Sequence, residues 1–117
     1  MFTTNVKATH ITITPDVQSY LDKRLSSLER LLDRDDSGIV CNIELERFVH
    51  HRRGDVFRAE ITLSTRDGVH RAEAKGENIE SAIDKVKDEV VRELRRGKRK
   101  RAHLLRRGGA ALKDFTN

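Results

Sequence analysis

The sequence has no Trp and only one Met, one Pro and one Cys in 117 residues, with four Phe and one Tyr as its aromatics. So few large apolar side chains leave little with which to line a big apolar ligand pocket. Hydrophobic residues make up 36% and charged residues 37%, so the core must consist of one or two thin layers in a single domain. A lone Cys41 excludes an intrachain disulfide and suits a reducing cytoplasm. Its apolar neighbours mark it as a buried thiol and not a nucleophile. No stretch approaches the ~20 apolar residues needed to span a bilayer, and "MFTTNVKATH" lacks the apolar run of a signal peptide.

Chemistry-bearing motifs are also scarce. His10, His50, His51, His70 and His103 are scattered without paired helical spacing, which gives zinc no ligand set. No Gly-rich loop carries the Lys and Ser/Thr of a phosphate-binding motif. Acids are plentiful, but nothing gathers two of them in an apolar cleft, so no catalytic constellation emerges and a binding module is favoured over an enzyme. "DRDDSGIVCNIE", residues 33 to 44, nearly fits a calcium loop, with Asp33, Asp35, Ser37, Gly38 and Glu44 at the right places. Such a loop needs a helix leaving it. Here the segment that leaves alternates as a strand, so a helix-to-strand turn is expected instead.

What the sequence has in quantity is positive charge at one end. From Arg92 to Lys113 there are ten Lys or Arg against the single acid Glu93, a net charge of +9. The rest of the chain has fourteen bases and eighteen acids, a net charge of −4. A nearly balanced body with a basic end is the footprint of a polyanion binder. Arg outnumbers Lys sixteen to eight, and its planar fork suits phosphate oxygens. With few aromatics to spare for base stacking, such binding would read backbone and shape more than base identity.

The periodicities give an order of elements. Val6, Ala8, Ile11 and Ile13 suggest an opening strand with a bulge near Thr9, because the step from 8 to 11 breaks alternation. Thr14-Pro15 reads as a helix start, followed by a stripe of Val17, Tyr20, Leu21, Leu25, Leu28, Leu31 and Leu32. Ile39, Cys41, Ile43 and Leu45 then alternate as a strand. "HHRRGD" at 50 to 55 forms a hairpin loop, and Phe57, Ala59, Ile61 and Leu63 form the next strand. "RDG" at 66 to 68 is a tight turn into a fourth strand with Ala72 and Ala74 inward. After Gly76, Asn78 caps a second helix with the stripe Ile79, Ala82, Ile83, Val86, Val90 and Leu94. The order is β-α-β-β-β-α: an α+β two-layer sandwich, four largely antiparallel strands with both helices on one face. Since the positions after Leu94 suit burial poorly and Gly97 is a weak helix former, the second helix is expected to lose its order from about Gly97 until a polyanion binds.

Two stretches carry a family resemblance. "ITITPDVQSYLDKRLSSLERLLD" and "AEAKGENIESAIDKVKDEVVRELRR", with the distinctive join "AEAKGENIESAID", resemble the ribosome hibernation promoting factors, the family that includes the ribosome-associated inhibitor protein Y. The resemblance runs from about Asn5 to Arg101. It implies a fold similar to a double-stranded RNA-binding domain with an extra strand, in a cytoplasmic, non-enzymatic protein with no cofactor, no membrane partner and no small-molecule substrate. It further implies binding to 16S ribosomal RNA of the small (30S) subunit, between head and body where tRNA and messenger RNA would sit, and silencing of translation in stationary phase or starvation.

In that family basic residues of both helices contact the RNA. The matching positions are Arg24 on the first helix and Arg92, Arg96, Lys98 and Lys100 on the second, with Lys23, Lys85, Arg95, Arg99 and Arg101 as neighbours able to share the contact. Ser27 and Glu89 stand where family members are expected to carry Lys. Residues 1–101 are expected to be the ribosome-binding domain and 102–117 a basic tail or the start of a linker, with no dimerisation domain within the 117 residues. Two other readings compete: a free-standing double-stranded RNA-binding protein, and a small metal-assisted nuclease, which the missing acidic cluster disfavours.

Overall fold

The computed structural model describes residues 2–32, 36–50, 53–54 and 56–106, with side chains as far as Gly97. Its elements are β1 (Thr3–Thr9), α1 (Pro15–Glu29), β2 (Val40–Arg47), β3 (Phe57–Thr65), β4 (Gly68–Gly76) and α2 (Ile79–Arg106). The four strands form one sheet in the order β1-β2-β3-β4. β1 runs parallel to β2, while β2–β3 and β3–β4 are antiparallel. This is the α+β, β-α-β-β-β-α sandwich that the periodicities indicate.

Both helices start where their caps are written. The Thr14 hydroxyl accepts from the Val17 amide at 3.2 Å, with Pro15 at the first helical turn where its missing N–H is not needed. The Asn78 side chain accepts from the Ser81 amide at 2.8 Å at the head of α2. Between α1 and β2, Asp36 accepts from the Gly38 amide at 3.2 Å and from the Arg66 amide at 2.7 Å, tying this turn to the β3–β4 hairpin. That hairpin closes with Gly68 at φ +138°, a conformation that favours glycine.

The core is a single apolar layer between sheet and helices. Cys41, Ile43 and Leu45 of β2 and Ala59, Ile61 and Leu63 of β3 face Val17, Leu21, Leu25 and Leu28 of α1 and Ile79, Ala82, Ile83, Val86, Val90 and Leu94 of α2. Burial pushes the Cys41 thiol up to about 12, which leaves it protonated and inert. Val56 and Val91 are buried as well. Val91 lies beside Val90 on the flank of the helical stripe, so a narrow three-four spacing omits it. No helix among the described residues is long and apolar enough to cross a membrane.

The opening strand differs from its sequence reading. There is no bulge: β1 pairs with β2 in unbroken register from Thr3 opposite Val40 to Thr9 opposite Glu46. The alternation breaks because the strand ends at Thr9, and His10 turns the chain with a left-handed φ of 57°. Ile11 and Ile13 pack on the core rim from the loop that follows, whereas Ala8, on an edge strand, is exposed.

The second helix differs too. The sequence reading ends regular order near Gly97, whereas α2 runs without interruption through Gly97 to Arg106. Lys, Arg, Ala and Leu are strong helix formers, and a single Gly costs only ~1 kcal/mol relative to Ala. The helix therefore does not need a buried stripe to continue. At Gly97 it still passes over β4: a Cβ there would sit 3.8 Å from the His70 ring.

Candidate nucleic-acid interface

α1 and α2 lie side by side, so basic residues from both helices can share one surface. Where they meet, Tyr20 and Arg24, one turn apart on α1, converge on Asp84 of α2. The Tyr20 hydroxyl donates to Asp84 Oδ2 at 2.5 Å, and Arg24 Nε donates to Asp84 Oδ1 at 2.6 Å. Arg24 Nη2 also donates to the Tyr20 oxygen at 2.9 Å, and its guanidinium lies 4.2 Å over the Tyr20 ring centroid. Partial burial pushes the Asp84 carboxyl up, but the bonds from Tyr20 and Arg24 and the positive charges of Arg24 and Lys87 outweigh it, so its pKa is lowered. The bond to Asp84 raises the pKa of Tyr20 and of Arg24. Arg24, expected from sequence to face RNA, is therefore a tie between the helices, half-buried and already partnered.

The remaining expected contacts fall into three groups. Lys23 and Arg95 are exposed, and among the described residues neither has a carboxylate partner. Lys85, Arg92 and Arg96 lie along one outer line of α2 at spacings of seven and four, about 16 Å from end to end at 1.5 Å per residue. Lys85 Nζ donates to the Lys75 carbonyl at 3.2 Å, Arg92 pairs with Glu89, and Arg96 pairs with Glu93 at 2.7 Å. Lys98, Arg99, Lys100 and Arg101 are on the helical backbone beyond Gly97, and their side chains lie outside the described residues.

This arrangement divides α2 electrically. From Ile79 to Gly97 the helix has five acids and five bases and is neutral. From Lys98 to Arg106 it has five bases and no acid. The net positive charge of α2 thus belongs to its last nine residues, Lys98 to Arg106, and not to the part before them.

The open face of the sheet works differently. Arg58, with its side chain 14% exposed, sits among Glu44 at 3.1 Å, Glu46 at 3.3 Å, Glu60 at 2.7 Å and Glu73 at 3.1 Å. The strand register places Glu44 opposite Glu60 and Glu60 opposite Glu73, a row of three acids that would repel without a shared cation. Arg71 adds a second cation on Glu60 at 2.8 Å. The Arg58 and Thr9 hydrogen bonds hold the Glu44 carboxyl below its usual range. Glu44, the residue at the twelfth place of the calcium-like spacing, is thus spent on Arg58 and Thr9, while Asp33 and Asp35 lie outside the described residues. Sequence reasoning missed this network. Its signal was the outward alternation of Glu44, Glu46, Arg58, Glu60, Arg71 and Glu73, legible only once the register is known.

A mixed four-stranded sheet under two helices, with a basic end to the second helix and a self-neutralised outer face, defines the molecule as a two-layer α+β domain whose basic residues gather at the end of one helix. The model of the family described as sigma 54 modulation protein / S30EA ribosomal protein matches residues 4–102, and the chain belongs to that family. It is 26% identical over 107 residues to the ribosome hibernation promotion factor of Bacillus subtilis, covering 91% of this chain and 53% of that protein. It is 28% identical to the ribosome hibernation promoting factor of Pseudomonas putida, covering 92% of this chain and 96% of that one. The chain thus spans about half the length of the first relative and nearly all of the second. Among solved structures, the protein Y N-terminal domain of Thermus thermophilus superposes with a TM-score of 0.65 at 22% identity, over 80% of this chain and 97% of that domain. A ribosomal subunit interface protein from Coxiella burnetii does so with a TM-score of 0.64 at 13% identity, over 84% and 98%. These two likenesses establish the shared fold.

Proposed function

We propose that this chain binds the small ribosomal subunit through 16S ribosomal RNA, in the channel where tRNA and messenger RNA would sit, and promotes ribosome hibernation in stationary phase or stress. It acts by occupancy and not by catalysis, in the cytoplasm where ribosomes are. Residues 1–101 form the binding domain, and residues 102–117 are a basic tail or the start of a linker, although α2 itself runs across that boundary. The observation that carries the reading is the run of five bases and no acid from Lys98 to Arg106 on a continuous helix, in a family whose named relatives are hibernation factors. In this reading Lys98, Arg99, Lys100 and Arg101 make the main phosphate contacts, and Lys23 and Arg95 add open cations. Lys85, Arg92 and Arg96 contribute after leaving their present partners, and Arg24 contributes mainly by fixing α1 to α2.

The competing reading is a free-standing double-stranded RNA-binding protein, which the fold also accommodates. Sucrose-gradient sedimentation with purified subunits separates the two. Cosedimentation with 30S particles that persists in excess RNA duplex supports the ribosomal reading, and loss of the protein to the duplex supports the competitor.

A further inference from the structure

The exposed arginines on the docked half of α2 are not equivalent. Arg92 is paired with Glu89 and Arg96 with Glu93, each acid three residues before its arginine, whereas Arg95 has no carboxylate partner among the described residues.

Building on the RNA-binding function proposed above, we propose that Glu89 and Glu93 are internal competitors for phosphate, which hold Arg92 and Arg96 in the free protein and set its RNA affinity below what the basic count of the helix would produce. The chemistry is a partner exchange. An exposed carboxylate–guanidinium pair one helical turn apart is weak, so a phosphate with two oxygens presented to the guanidinium fork displaces it. The freed carboxylate then returns to water beside a polyanion, where it is repelled. Each acid therefore lowers affinity twice, by occupying its arginine and by opposing the incoming phosphate. A binder that must let go of its target gains from such a brake, since the complex forms with a basic helix yet dissociates readily. Asp84 differs from these two acids, because its pair with Arg24 crosses between helices and includes Tyr20, which makes it part of the fold.

The test compares the full chain with Glu89→Gln/Glu93→Gln and with a control, Asp16→Asn/Glu77→Gln, which changes charge equally at acids that have no arginine partner among the described residues. Affinity is read by fluorescence anisotropy on a short labelled RNA duplex and by cosedimentation with purified 30S subunits. The competitor variant is expected to bind roughly two- to fivefold tighter than wild type, from two pairs each contributing a few tenths of a kcal/mol, and tighter than the control. In an Arg92→Gln/Arg96→Gln background the same acid substitutions are expected to tighten binding by less than they do in wild type, because no arginine remains to be released and only the repulsion of phosphate is relieved. Tightening equal to the control, or weaker binding by the competitor variant, would overturn the proposal while leaving RNA binding intact. If wild type holds neither duplex nor subunits, the RNA-binding reading falls and the brake falls with it.

Discussion

Arg24 Nε lies 2.6 Å from Asp84 Oδ1, joining residues sixty positions apart on two different helices. A residue that the family resemblance leads one to expect at the RNA is thereby committed to holding the helices in place. Asp84 is held below its usual range, so its stabilising effect is present above the unfolded carboxylate value of about 4 and is lost as pH falls through the lower folded value. Asp84→Asn is therefore expected to lower stability modestly at pH 7 and to have a smaller effect in acid, once the pH has fallen through the lowered value of the wild-type carboxyl. The Tyr20 phenol should then titrate at a lower pH than in wild type, since its bond to Asp84 is the largest cause of its raised pKa. Urea melts at neutral and acid pH, with ultraviolet titration of Tyr20, check both points.

Arg58 should be the most sensitive residue of the open sheet face. Arg58→Met leaves Glu44, Glu60 and Glu73 in register with no shared cation, and stability should fall by about 1–3 kcal/mol at pH 7. Glu44 has a lowered pKa, so its contribution is full at neutral pH and disappears in acid. The deficit of the variant should accordingly shrink as pH drops below about 4, and Glu60→Gln added to Arg58→Met should recover part of it at pH 7. Thermal unfolding across pH measures this, and a deficit constant from pH 7 to pH 3 would contradict it.

Two glycines, Gly76 ahead of α2 and Gly97 within it, should respond in opposite directions. A Cβ at Gly76 would lie 2.7 Å from the Ala82 amide nitrogen and 3.0 Å from the Ser81 side chain, so β4 could no longer hand over to the helix without a shift. Gly76→Ala is expected to cost about 1–3 kcal/mol. At Gly97 the new methyl would meet only His70, at an ordinary 3.8 Å, in a helix interior where Ala is favoured. Gly97→Ala should stabilise the helix by about 0.5–1 kcal/mol and raise helical circular dichroism.

If the helical extension supplies the phosphate contacts, affinity for 30S subunits should fall steeply with salt. Each neutralised phosphate contributes roughly 0.7–0.9 to the logarithmic slope. Replacing Lys98, Arg99, Lys100 and Arg101 by Ala should therefore flatten that slope by roughly three while leaving the domain folded. By contrast, Ile83→Asp places an unpaired charge at a site 1% exposed and should unfold the domain, at a cost of several kcal/mol. Binding isotherms at several salt concentrations, with circular dichroism as the folding control, check both.

Much of this protein is legible in its sequence, because helices, strands and their ends are written in local terms. Thr14 and Asn78 cap helices through atoms three residues away, and the alternation of Cys41, Ile43 and Leu45 against Asn42, Glu44 and Glu46 names the inner face before any partner is known. The order of elements, the buried layer and the gathering of positive charge at one end all follow from such short-range patterns. The end of β1 did not, since a left-handed His10 and a bulge break alternation in the same way. Nor did the length of α2, because good helix formers carry a helix past its last buried residue. Above all, sequence names the charges but not their partners. Whether an arginine is open to RNA depends on the acid beside it. For Arg24 that acid arrives from another helix, and for Arg58 it arrives from three strands at once. Coulombic pairing acts through space over a few ångströms, so it was decided only when the sheet register and helix packing brought those side chains together.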